Sequence, residues 1–129
     1  MPAVVALNVI SALISATFAA IALLNPAANP GIDNGETATT HLYAAMYGVR
    51  ALPIAAAIIW LALTDRRKLT PVLLLAGAAQ IGDIVIGTAT GTVTMAAGAT
   101  IAAIIHLGSA WMLRTHDRVT ARQDRAAAL

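Results

Sequence analysis

The side chains best equipped for chemistry in this chain are Arg50, Asp83 and His106, each set in a long apolar stretch. An arginine there can stabilise a developing oxyanion, and an aspartate or histidine can transfer a proton. A charge at the centre of a membrane helix costs roughly 2.5–3.5 kcal/mol on insertion scales, so its presence points to a functional site with a partner to be found. The chain carries eight Lys and Arg and six Asp and Glu. Arg66, Arg67, Lys68, Arg114, Arg118, Arg122 and Arg125 fall in connections or the tail, as do Asp33, Glu36, Asp65, Asp117 and Asp124. One base and one acid remain for the interior, Arg50 and Asp83. The competing reading is a structural ion pair that holds two helices in register; burial alone makes such a pair weak support for stability.

Composition says what must position these residues. Of 129 residues, 59% are hydrophobic and 11% charged, where a soluble domain has about a quarter charged. Apolar runs of about 20 residues match the ~30 Å of a hydrocarbon core. Four are expected, at about residues 3–24, 41–63, 71–90 and 93–113, followed by a charged tail over 114–129. In lipid they must be helices, since four short segments cannot close a barrel and every backbone group needs an internal partner. The expected fold class is all-α, a single four-helix transmembrane bundle. The ATFAA stretch near residue 16 resembles a signal-peptidase site, but no basic region precedes it and the apolar run exceeds the ~7–15 residues of a signal peptide. The first segment is therefore read as a span.

Charge placement sets the expected topology. Residues 25–36 (NPAANPGIDNGE) hold no Lys or Arg, whereas TDRRKLT over 64–70 and the tail hold all seven extramembrane bases. The positive-inside rule then puts both termini and the 64–70 loop in the cytoplasm. The Asn/Pro/Gly loop and the turn at Gly91 face outward. Seven Arg against one Lys, with abundant Ala, suggest a GC-rich bacterium, hence a multi-pass protein of the bacterial inner membrane. The same topology reading replaces a nucleic-acid one, despite a pI near 9.7. Without cysteine, disulfides and thiolate metal sites are excluded; no cofactor or metal is expected, and a metal bridge from His41 to His106 is disfavoured by depth.

Helical spacing groups the polar residues into faces: Asn8, Ser11 and Ser15; Tyr43, Tyr47 and Arg50; Gln80, Asp83 and Gly87; Ala99, Ala102, His106 and Ser109. Turned inward, these faces give a bundle with a polar interior. At 1.5 Å per residue, Arg50 lies roughly 13 Å and Asp83 roughly 10 Å from the outer ends of their spans, close enough to meet, with His106 at roughly 20 Å. Asn8 is expected at a different level, near the cytoplasmic end. Pro53 denies the Val49 carbonyl its helical hydrogen bond, a kink beside the buried cation. Gly87 and Gly91 have the spacing of a close-packing or dimer face, and Trp60 and Trp111 suit interfacial anchors.

The runs YGVRALPIA, QIGDIVIG and IIHLGSA resemble a family of small four-span membrane proteins of unknown function from bacteria and fungi. That family shares a Gly-x-Arg, Gly-Asp and His pattern, matched here by Gly48-Val49-Arg50, Gly82-Asp83 and His106. Its members often carry an acid directly after the arginine, where this chain has Ala51. The resemblance implies the four-span fold and the three-residue cluster, and brings no activity with it.

The expected function is a polar pocket that binds a small lipid-soluble molecule and transforms it by acid/base chemistry such as isomerisation, cyclisation or epoxide opening. Arg50, Asp83 and His106 are the candidate catalytic residues, with Tyr43, Tyr47, Gln80, Ser15 and Asn8 as ligand contacts. Alternatives are a proton-coupled transporter or channel subunit, working as a homodimer with Asp83 and His106 as carriers, and a structural subunit of a membrane complex. Expected partners are the bilayer and the lipophilic ligand.

Overall fold

The computed structural model describes residues 2–26 and 37–127; residues 27–36 of the Asn/Pro/Gly-rich stretch, with Asp33 and Glu36, lie outside them. Four long helices make up the fold: α1 (Pro2–Leu24), α2 (Ala38–Thr64), α3 (Leu69–Ala89) and α4 (Val93–Ala127). Each is long and apolar enough to cross a membrane, which makes this a multi-pass membrane protein. Its surface fits that reading: Leu7, Ile10, Leu13, Ile14 and Phe18 of α1 and Ile101, Ile104 and Trp111 of α4 are all exposed.

Local chemistry sets the helix ends. α2 starts earlier than its apolar run because Thr37 and Thr40 form a reciprocal capping box: Thr37 N–H donates to Thr40 Oγ1 at 2.9 Å, and Thr40 N–H to Thr37 Oγ1 at 3.2 Å. Between α2 and α3, a single 3-10 turn (Arg66–Lys68) is capped by Asp65, whose carboxylate accepts from Arg67 N–H at 3.2 Å. Gly91 closes the α3–α4 connection with φ +72°. Thr92 N–H reaches Gly87 O at 2.8 Å and Gly91 N–H reaches Thr88 O at 3.3 Å, the paired bonds of a Schellman ending. α4 differs from expectation: it does not end where its apolar run ends but continues as one 35-residue helix through the charged tail. At 1.5 Å per residue that is roughly 52 Å. No Pro or Gly interrupts residues 113–127, so the change of solvent does not end the hydrogen-bond ladder.

The helices pair off. α1 packs extensively on α2 and α3 on α4, while the α2–α3 and α1–α4 seams are much sparser. The molecule is thus two helical hairpins laid against each other. Within the second, a Cβ on Gly87 would come within 2.8 Å of the Ala96 backbone nitrogen, so the α3 and α4 backbones nearly touch there. Gly48 against Leu23 and Gly77 against Leu107 play the corresponding part with side chains as neighbours. At the end carrying Arg66, Arg67 and Lys68, called here the basic end, all four helices contribute to one apolar cluster that includes Val5, Ile58, Leu69, Leu73, Ala110 and Leu113.

Candidate functional site

Polar groups occupy both sparse seams. In the α2–α3 seam, Arg50 Nη2 donates to Asp83 Oδ1 at 2.5 Å. Asp83's side chain is 6% exposed and Arg50's 38%, so the carboxylate is interior and the guanidinium forms the rim. The guanidinium carbon also stands 5.8 Å from the Tyr47 ring centroid, within cation–π range. Both residues project from the same α2 face, three positions apart, as the helical period requires.

The α1–α4 seam holds a second network around Asn8, which is fully buried. Its Nδ2 donates to Val4 O at 2.8 Å and to Ser109 Oγ at 2.7 Å. Asn8 Oδ1 lies 2.8 Å from His106 Nδ1, and His106 Nε2 lies 3.4 Å from Ser11 Oγ. Among the described residues no buried side-chain nitrogen or oxygen lacks a hydrogen-bond partner, so the interior polar groups are satisfied as burial demands.

Between the two networks lies a cavity reached by both. Its polar lining is Ser15, Tyr47, Arg50, Gln80, Asp83 and His106. Ala12, Ala55, Ile58 and Ala76 line it as well and belong to the apolar cluster, which fills the bundle from there to the basic end. The cavity is narrow: the space open to the centre of a water molecule is about 20 Å³, near the minimum for a single water. Such a space takes one small polar group and excludes a whole lipophilic molecule in this conformation.

Six of the eight sequence-selected residues therefore meet around one cavity, drawn from all four helices. Asn8 and Tyr43 do not line it. Tyr43, in the second turn of α2, is 66% exposed on the bundle surface, beyond the level the cavity reaches. Asn8, expected at its own level near the chain start, instead contacts His106 directly. It supports a site residue from behind. Ser11 and Ser109 belong to this network and were not selected as site residues, although both fall on the polar faces that spacing defines; a small hydroxyl on such a face is the signal available for them. Among the described residues no group of three His, Asp or Glu side chains could hold a metal ion.

Chemically, the site offers donors and acceptors of different kinds. Arg50 has five N–H donors, of which the Asp83 bond uses one. Asp83 presents acceptors, Tyr47 and Ser15 hydroxyls, and Gln80 an amide. Comparison with protein-family models, with curated proteins and with solved structures finds no match to this chain.

Proposed function

We propose that this multi-pass membrane protein binds the oxygen-bearing head of a small lipid-soluble molecule between the Arg50–Asp83 pair and His106, with the apolar body lying along the seam between the hairpins. Arg50 would hold an oxygen of the ligand and stabilise negative charge forming on it. Asp83 and His106 are the groups able to move a proton to or from that head, as isomerisation, cyclisation or epoxide opening would require. In this reading both termini and the 64–70 loop face the cytoplasm of a bacterial inner membrane, by the positive-inside rule. The cavity then opens toward the outer leaflet.

The observation that carries the reading is the shape of the polar interior. Six polar or charged side chains converge on one cavity, and Ile58, Leu69 and Leu73, each at most 1% exposed, fill the bundle on the basic side of it. A blind polar cavity suits a bound head group. A proton or ion pathway would need polar groups continuing to the basic end, whereas the chain from His106 through Asn8 stops at Ser109 Oγ and the Val4 carbonyl, beside Val5 and Ala110 of the apolar cluster.

The test pairs ligand response with proton flux. Decanol, decanal and 1,2-epoxydecane should raise the Tm of the protein in nanodiscs by mass action, and decane should not. The double variant R50L/D83L, which exchanges the pair for apolar residues, should fold and lose the response. Proton flux in proteoliposomes that disappears in Asp83→Asn would falsify the blind-cavity reading in favour of coupled transport.

A further inference from the structure

The second network determines more than the position of a ring. Val4 O is a carbonyl and can only accept, so the Asn8 atom 2.8 Å from it must be the NH₂ group. That assigns the amide: the atom 2.8 Å from His106 Nδ1 is Oδ1, itself only an acceptor. His106 Nδ1 must therefore carry the hydrogen and donate. In the neutral ring Nε2 is then the acceptor. It accepts from Ser11 Oγ at 3.4 Å, a hydrogen bond at the long end of the range. His106 also lines the cavity, and with Nδ1 held by Asn8 at 2.8 Å, Nε2, held only by the longer Ser11 contact, is the ring nitrogen that a ligand hydroxyl can compete for.

From this we infer that Asn8 is a positioning residue that holds His106 in its Nδ1–H tautomer, so that Nε2 serves the site as a hydrogen-bond acceptor and selects a ligand bearing a hydroxyl. The ligand half of this inference rests on the pocket reading above; the tautomer half does not. The chemistry is complementary across the cavity. Arg50 can only donate, so it favours an acceptor oxygen on the ligand. His106 Nε2 accepts, so it favours a ligand O–H. An alcohol satisfies both demands, whereas a carbonyl, ether or epoxide satisfies only the first. The fixed tautomer also equips His106 to take a proton at Nε2 while Asn8 Oδ1 keeps the ring oriented, which is the role of an orienting partner behind a histidine base.

The experiment is 15N NMR of histidine-labelled protein in nanodiscs, with His41→Gln and His116→Gln removing the other two histidines. Protonated and bare ring nitrogens resonate well apart, and the one-bond N–H coupling identifies the carrier. In the otherwise unchanged chain, the coupling should appear on Nδ1; a coupling on Nε2 overturns the inference outright. Asn8→Asp keeps an acceptor at the same place and should preserve the Nδ1–H form. Asn8→Leu removes it and should move the hydrogen to Nε2, toward Ser11; an unchanged tautomer there means Asn8 does not set it. Decanol added to the protein should shift the Nε2 resonance, and methyl decyl ether should leave it in place. Equal shifts from both overturn the hydroxyl requirement. No shift from either, with the Tm response to decanol kept, also overturns the hydroxyl requirement; with that response absent it rejects the pocket reading, while the tautomer, read without ligand, stands or falls separately.

Discussion

The contacts inside each hairpin and the contacts between hairpins are built from different chemistry. Inside, α1 meets α2 and α3 meets α4 over long stretches, with glycines at close approaches: Gly48 on Leu23, Gly77 on Leu107, Gly87 on the Ala96 backbone. Between them, the sparse seams carry polar bonds: Arg50 to Asp83 on one side, and Asn8, Ser11, His106 and Ser109 on the other. In lipid, apolar side chains gain nothing by leaving one hydrocarbon for another, so association draws on close packing and on polar bonds. The hairpins use the first and their union uses the second. Packing of small residues tolerates sliding along the helix, whereas a hydrogen bond fails when its atoms move by an ångström or two. The polar seams therefore set the register between hairpins, and they leave between them a place where a small polar group fits.

Five substitutions break or sharpen this contrast, and each can be followed by unfolding in mixed micelles. Arg50→Leu should have the largest effect, because it strands a carboxylate that is only 6% exposed. A loss of about 3 kcal/mol is expected, the low end for a broken buried pair given the partly exposed guanidinium. Adding Asp83→Leu should bring stability back to within about 1 kcal/mol of the parent, since apolar replacement of a whole buried pair is often neutral. Gly87→Val attacks a hairpin from within. Its Cβ would press on a backbone nitrogen at 2.8 Å, so about 2 kcal/mol should be lost with no neighbouring side chain whose trimming restores it. Asn8→Leu should cost less, about 1.5 kcal/mol, near the upper end measured for hydrogen bonds inside membranes. Ser109→Ala removes one acceptor from the same amide and should cost about 0.6 kcal/mol. If Gly87→Val loosened the polar seams before its own hairpin, the division of labour drawn here would be wrong.

The helices were legible because their signal is length and apolarity, which lipid imposes whatever the neighbours are. The polar faces were legible for a similar reason, since the helical period fixes which of Tyr47, Arg50, Gln80 and Asp83 share a side. What spacing alone leaves out is the relative height of different helices. Counting residues from span ends assumes that all helices begin in one plane, and this separated Asn8 from His106, which are in fact bonded. Tyr43 shows the opposite limit: it shares a face with Arg50, yet is exposed in the second turn of α2. The ends of α2 and α4 eluded hydropathy because they are set by backbone chemistry, a threonine capping box in one case and the lack of any helix breaker in the other. Which helices pair into hairpins follows from tight contacts at single glycines, and the chain contains nine of them.

The split of each polar seam between the two hairpins also bears on how the protein is made. A hairpin that enters the bilayer alone carries half of every lock: α1–α2 brings Asn8 and Arg50, α3–α4 brings Asp83 and His106. Until its counterpart docks, each half holds a charge in hydrocarbon at a cost of roughly 2.5–3.5 kcal/mol. Docking relieves both at once, by pairing Arg50 with Asp83. The same residues that line the cavity thus make each hairpin costlier to hold in the bilayer alone than docked.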